Sequence, residues 1–360
     1  MLNRAAKRRY NLIGPSSDRA ADQGLAAAEW YHPEVPRKRM KELMKRKDGP
    51  ALRDTALWLS LLVAFGFGGG YFWGSWLCVP FFACYGVLYA SASDSRWHET
   101  GHGTAFRSAW LNDSLYQLSS FMNKKEPTYW RWSHARHHTD TMIVGRDPEF
   151  VVMRPPDAAK VLLNLLAIPD TISTVISVTR HGFGYLTAEE KTFIPEMERS
   201  KIFWEARAWI AIYALVFAAA IYFNTFLPLM YVALPTIYGR WLLTLFGIMQ
   251  HTGLAENVLD HRLNTRTVYM NRVFRFLYWN MNYHLEHHMF PMVPYHALPE
   301  LHAEIRGDLT EPYSSTFSAY REIVPALWRQ LRDPDHYVHR KLPPSAQPFR
   351  PELHQAVFEV

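Results

Sequence analysis

Residues 55–102 read TALWLSLLVAFGFGGGYFWGSWLCVPFFACYGVLYASASDSRWHETGH. No charged residue occurs from Thr55 to Ser93, and His98 and His102 follow directly beyond that run. A bilayer crossing takes about 20 apolar residues, so the run is long enough for two. Gly68, Gly69, Gly70 and Gly74 fall where a tight turn between them is needed. A second uncharged run extends from Ala208 to Gly239 and, past Arg240, continues to Met249, with Asn224 and Pro228 at its middle. The two runs predict an all-α integral membrane protein. Its four transmembrane helices would lie at about 54–73, 75–94, 205–223 and 227–249, paired in two hairpins under a cytoplasmic helical cap. The bland alternative, buried core helices of a soluble protein, does not need runs this long.

The rest of the 360 residues bound the picture. Hydrophobic residues make up 49% and charged residues 20%, which excludes a disordered or fibrous chain. Mean hydropathy is only -0.18 because most of the chain lies outside the spans. Residues 1–53 hold 13 Lys or Arg against 6 Asp or Glu, densest in PRKRMKELMKRK at 36–47. The apolar stretch begins too late for a signal peptide, and the basic excess places the N-terminus in the cytoplasm. An even number of spans returns the C-terminus there. The net charge of +6 therefore reads as membrane-surface attraction and topology, with no nucleic-acid partner. Cys78 and Cys84 sit inside an apolar span and pack as small hydrophobes. VLLNLLAIPDTISTVISV at 161–178 is apolar but carries Pro169 and Asp170 at its centre, which predicts an interfacial or re-entrant helix. The expected organisation is a basic segment 1–53, a catalytic membrane domain 54–305, and a C-terminal helix and tail 306–360. The tail is expected to be weakly ordered from the Pro-rich KLPPSAQPFRPEL onward.

Eight of 17 histidines lie in three short clusters: His98 and His102; His134, His137 and His138; and His284, His287 and His288. On a helix, positions i+3 and i+4 share a stripe with i, so each cluster can grip one side of a metal. Imidazole suits Zn, Cu, Fe and Ni, and eight ligands are too many for one ion. Two ions with open positions for a small reactant is the economical reading. His98 stands five residues beyond Ser93, about 7 Å along a continued helix. His251 directly follows the fourth run and is the candidate ninth ligand. All the clusters then fall on the cytoplasmic face, just above the bilayer. Glu99, Glu286 and Asp140 adjoin the boxes, where an acid can hold the far nitrogen of a ligand; a solvated acid is the alternative. His181, His261, His296 and His302 are expected to be structural or solvent-facing.

An H-x3-H box followed by two H-x2-H-H boxes, separated by hydrophobic hairpins, resembles the membrane fatty acid desaturase and hydroxylase superfamily. The similarity runs from about Asp54 to His302 and is most specific in NMNYHLEHHMFP at 280–291. The resemblance implies two non-haem irons on the eight box histidines, with His251 matching the extra histidine between the last span and the third box. Gly247 stands where animal acyl-CoA desaturases have an asparagine ligand, a departure from that pattern. It also implies dioxygen as co-substrate, desaturation or hydroxylation of a fatty acyl or lipid-like substrate, and a separate electron donor of ferredoxin, rubredoxin or cytochrome b5 type. Two rival readings explain less. HETGH fits the H-E-x-x-H helix of an intramembrane zinc protease but leaves both H-x2-H-H boxes idle. A metal transporter would carry its histidines within the spans, which hold none.

Overall fold

The computed structural model of the chain describes residues 9–350 and Leu353, so the outermost parts of both expected terminal segments lie outside the described residues. The described chain is helical, and its β pairings are two isolated bridges, Thr267 with Tyr283 and Val268 with Tyr313. The helices used below are α1 (Pro15–Asp22), α2 (Arg37–Leu43), α3 (Asp48–Tyr71), α4 (Cys78–Gly86), α5 (Ser93–Gly101), α6 (Ala109–Asn123) and α7 (Pro127–Thr139). They continue with α8 (Ala158–Asn164), α9 (Ile168–Gly182), α10 (Arg199–Tyr222), α11 (Pro235–Gly239), α12 (Trp241–His251) and α13 (His261–Asn264). The last are α14 (Arg272–Leu277), α15 (His284–Met289), α16 (Leu298–Ile305) and α17 (Thr316–Gln330).

Among the described residues, two helices are long and apolar enough to cross a membrane, Arg37–Tyr71 and Glu196–Tyr222, and a third is added if α8 and α9 count as one span. These match the first and third expected spans. The segment expected at 75–94 is one unbroken helical rod from Cys78 to Gly101, with α4 and α5 joined through a π-helical stretch, Val87–Ala92. The segment expected at 227–249 is interrupted. It divides into a π-helical Leu229–Ala233, α11 and α12, with Pro228, Pro235 and Arg240 at the breaks. Proline cannot donate the helical hydrogen bond, so the sequence itself contains the cause. The stretch at 161–178 is bent by 82° between α8 and α9, with Pro169 in the first turn of α9. Asp170 there pairs with Arg240 at 3.0 Å.

The interruption lets two backbones meet. A Cβ on Gly239 would stand 2.0 Å from the Gly86 carbonyl, so only a glycine pair permits this crossing of α4 and α11. Just beyond it, the Ser91 hydroxyl donates to the Gly239 carbonyl at 2.6 Å and accepts from the Leu243 amide at 2.9 Å. These bonds satisfy backbone groups left free at the end of α11 and the start of α12. Trp58 on α3 donates to the Leu88 carbonyl at 2.9 Å, tying the third element to the same place. Below the site, the fully buried Arg96 lies 4.9 Å from the ring centres of Trp58 and Trp279 and donates to the Ala92 and Leu277 carbonyls at 2.7 and 3.1 Å. Its charge is compensated by aromatic faces and carbonyl dipoles, not by a contacting carboxylate. Cys84 is exposed and Cys78 half-buried, both as free thiols; exposure of Cys84 differs from its expected packing.

The polar segments form a knitted cap. Arg262, fully buried, pairs with Asp260 at 2.8 Å and with Asp308 at 3.2 Å, lies 3.5 Å from the Tyr31 ring, and donates to the Gln347 carbonyl at 2.9 Å. One guanidinium thus joins the N-terminal segment, the core of the cap and the C-terminal tail. The described part of that tail is not loose as expected: Ser345 donates to the Gly307 carbonyl at 3.0 Å, and Ala346 is buried. Substituting Gly239→Ala should lower stability by roughly 1–3 kcal/mol through overpacking. Gly247→Ala, with nothing within 4 Å of the added carbon, should not. Thermal unfolding of the detergent-solubilised protein checks the pair.

Candidate metal centre

Each histidine cluster is carried by a short helix. Every residue of α5 from Ser93 to Thr100 is buried, and His98 and His102 lie one turn apart at its end. Pro127, suited to a helix start, opens α7, whose last turns present His134, His137 and His138. The six residues of α15 carry His284, His287 and His288. His251 is the last residue of α12.

All nine imidazoles converge, in two groups. His98, His102, His134, His138 and His287 form one; His137, His251, His284 and His288 form the other, and within each the ring nitrogens lie within 4.8 Å of one another. In the first, Nε2–Nε2 separations are 2.7 Å for His98–His287, 3.2 Å for His134–His98 and His134–His102, and 3.1 Å for His138–His134. In the second, His284 stands 3.1 Å from both His251 and His288. The groups adjoin, with the His138 and His288 rings stacked 4.4 Å apart.

The partition follows helical geometry. In α7 the i, i+4 pair His134 and His138 enters the first group, and His137 crosses to the second. In α15 the i, i+4 pair His284 and His288 enters the second, and His287 crosses to the first. Each H-x2-H-H box therefore spans both groups, holding one with a pair and the other with a single ring.

The donor chemistry fits metal ions. Ligand nitrogens about 2.1 Å from an ion and at right angles are about 3 Å apart, the spacing found here. Burial, then neighbouring imidazoles, pushes His98, His134, His138, His284, His287 and His288 well below the usual imidazole range. The same causes bring His102 down to about 4 and His251 to about 3. These rings are neutral at ordinary pH, with lone pairs free to bind. Burial also opposes the charge on His137, but Asp147 outweighs it and raises that ring.

The outer groups differ from those expected. Asp147 accepts from His137 Nδ1 at 2.9 Å and Glu149 from His134 Nδ1 at 3.1 Å; the Asn264 carbonyl accepts from His251 Nδ1 at 2.9 Å. Asp147 is itself held by the Met142 and Glu149 amides, both at 2.8 Å. The clue was the acidic pair in RDPEF just after the second box, but no helical period links it to the histidines. Glu99, Glu286 and Asp140 face elsewhere. Glu99 accepts from Thr104 at 2.7 Å and from the Tyr295 amide at 3.0 Å, and burial raises it to about 7. Glu286 pairs with His302 and accepts from Thr267 at 2.6 Å. Asp140 takes Arg136 and Arg146. Immediate neighbours of a ligand on a helix point about 100° away from it, which turns Glu99 and Glu286 outward.

The other singled-out histidines are mostly structural. His181 is buried against Glu126 at 2.8 Å, bracing the start of α7, and His302 against Glu286. His261 is stacked under Trp30 at 4.2 Å and 8°, with its ring 5.0 Å from that of His288. His296 is half-buried, not solvent-facing. Trp30 also donates to the Thr139 carbonyl at 2.9 Å, so the N-terminal segment roofs the centre.

Residues 73–320 match the model of a family described as fatty acid desaturase. The chain is 23% identical over 243 residues to a Delta(5) fatty acid desaturase of Caenorhabditis elegans, covering 56% of this chain and 51% of that protein. It is 22% identical over 267 residues to an endoplasmic reticulum omega-6 fatty acid desaturase (isozyme 2) of Glycine max, with 66% and 67% covered. Isozyme 1 of that plant is 24% identical over 266 residues, with 66% of each chain covered. The chain thus spans about half the length of the nematode relative and about two thirds of the plant ones.

Substituting Asp147→Asn should weaken metal retention about 10- to 100-fold, by freeing the His137 ring while leaving its ligand nitrogen in place. Chelator competition against the purified protein, with helix content followed in parallel, measures this.

Proposed function

The chain belongs to the fatty acid desaturase family, and from that premise we propose that it is a membrane-bound di-iron oxidoreductase that desaturates a fatty acyl or lipid-like substrate. The observation carrying the proposal is the convergence of nine imidazoles, seven of them buried, in two adjoining groups. We assign His98, His102, His134, His138 and His287 to one iron and His137, His251, His284 and His288 to the other. Bound there, the irons would supply dioxygen-dependent removal of hydrogen from an unactivated C–H bond, chemistry that side chains cannot perform. The protein's own part is to hold the rings. Asp147, Glu149 and the Asn264 carbonyl fix which nitrogen faces inward, and the surrounding core keeps water out.

A small crevice of mixed lining, with Phe246, Met249 and Met281 beside Gln250, Arg266 and Asn282, borders His284. Four spans remain the topology we favour, with residues 75–94, largely in the rod, and 227–249 of the interrupted segment as second and fourth, and α8–α9 re-entrant. Leu57, Val63, Phe67 and Tyr71 on α3, and Ile210, Leu215, Phe217 and Ile221 on α10, are exposed, as lipid contact requires. Both termini and the cap are then cytoplasmic. Dioxygen and a separate donor of ferredoxin, rubredoxin or cytochrome b5 type complete the reaction.

The test is expression in a membrane host with its own electron donors, followed by mass analysis of the lipids. A product lighter by two hydrogens is expected; one heavier by a single oxygen would make the chain a hydroxylase. The purified protein should hold about two irons, and His137→Ala or His287→Ala should lower that content and abolish turnover. Unchanged iron in either variant removes that ring from the site.

A further inference from the structure

Helix α17 carries two committed faces, and only one is used by the protein. A reciprocal cap fixes its start: the Ser315 hydroxyl accepts from the Ser318 amide at 3.1 Å, and the Ser318 hydroxyl accepts from the Ser315 amide at 3.0 Å. Ala319, Ile323, Ala326 and Gln330 are buried against the cap. The Tyr320 hydroxyl donates to the Leu245 carbonyl at 2.7 Å, and Glu322 accepts from Arg266 at 3.2 Å and from the Tyr313 hydroxyl. These bonds fix the rotation of the helix, so its outer face cannot turn inward.

That outer face is apolar. Phe317, Val324, Trp328 and Leu331 are 73%, 58%, 63% and 43% exposed. Their spacings of seven, four and three residues place them on one stripe. Arg321, Arg329 and Arg332 are exposed beside it, and none has an ion pair among the described residues. A tryptophan-bearing apolar stripe flanked by unpaired arginines is the composition of a helix lying in a membrane surface with anionic headgroups. Position agrees with composition. Leu245 lies within α12, six residues before His251, so α17 packs about 9 Å along that helix from the metal centre, on the last part of the second apolar run.

We propose that α17 lies in the membrane–water interface, with the Phe317–Val324–Trp328–Leu331 stripe in the acyl boundary and Arg321, Arg329 and Arg332 on anionic phospholipid headgroups. The assignment rests on the membrane reading above. The full chain, carrying Cys78→Ser and Cys84→Ser, is placed in nanodiscs containing anionic phospholipid. Spin labels go at Val324→Cys, at Leu215→Cys on α10 and at Glu311→Cys on the cap. The label at 324 should be reached by oxygen and shielded from a charged aqueous relaxant, as at 215, whereas 311 should be open to water. Shielding at 324 should fall in neutral-lipid discs and when Arg321→Gln, Arg329→Gln and Arg332→Gln are combined. A label at 324 as wet as that at 311, with 215 still shielded, overturns the docking alone. Shielding from both relaxants overturns it in favour of a protein contact. Shielding indifferent to lipid charge and to the arginines rejects the headgroup assignment, and a wet label at 215 rejects the membrane reading together with the docking.

Discussion

Two adjoining groups of imidazole nitrogens, each gathered within 4.8 Å, are the constraint to which the rest of the fold answers. Neutral imidazole has one donor and one acceptor, so a ring of nitrogens aimed at a common point cannot satisfy itself by hydrogen bonding. Burial makes the shortfall expensive, and protonation, the usual escape, is suppressed by the same burial. A cation at each focus would resolve the frustration. The sidedness of the rings is fixed from outside by Asp147, Glu149 and the Asn264 carbonyl, whose own positions are set by backbone amides and by the turn after α7.

Helix ends do the positioning. The centre takes rings from the ends of α5, α7 and α12 and from the whole of α15, so small changes in any of these termini would move a ligand. The π-helical stretch before α5 advances the register of the histidines relative to the apolar rod below, and the Gly86–Gly239 contact locks that rod to the interrupted segment leading into α12. Two elements that reach the site from opposite halves of the sequence are thereby fixed to each other at one backbone contact. Arg96 and Arg262 act similarly. Each is fully buried and gathers distant segments onto one guanidinium, a group whose fixed fork suits several acceptors at once.

The outer surface has a different logic. α3 and α10 expose large apolar side chains along their lengths, while the cap is closed by the N-terminal roof of Trp30 and Tyr31 and by the C-terminal tail. The fold thus encloses its clustered histidines between an apolar base and a polar lid.

The amino-acid sequence alone determined which side chains are candidates for the site, because imidazole spacing on a helix is local: the three histidine clusters were legible as sets, and His251 by its place after the fourth expected span. It also determined the helical class and the two long apolar helices, since unbroken apolar runs are one-dimensional signals. Tertiary structure decided what depends on rotation and distance. It divided each H-x2-H-H box between two groups, chose Asp147 and Glu149 over Glu99, Glu286 and Asp140, and laid the tail across the cap. The reason is the same in each case. A residue next to a ligand in sequence is carried about 100° away from it around a helix, whereas a partner ten or fifteen residues distant can be brought to it only by the path of the folded chain.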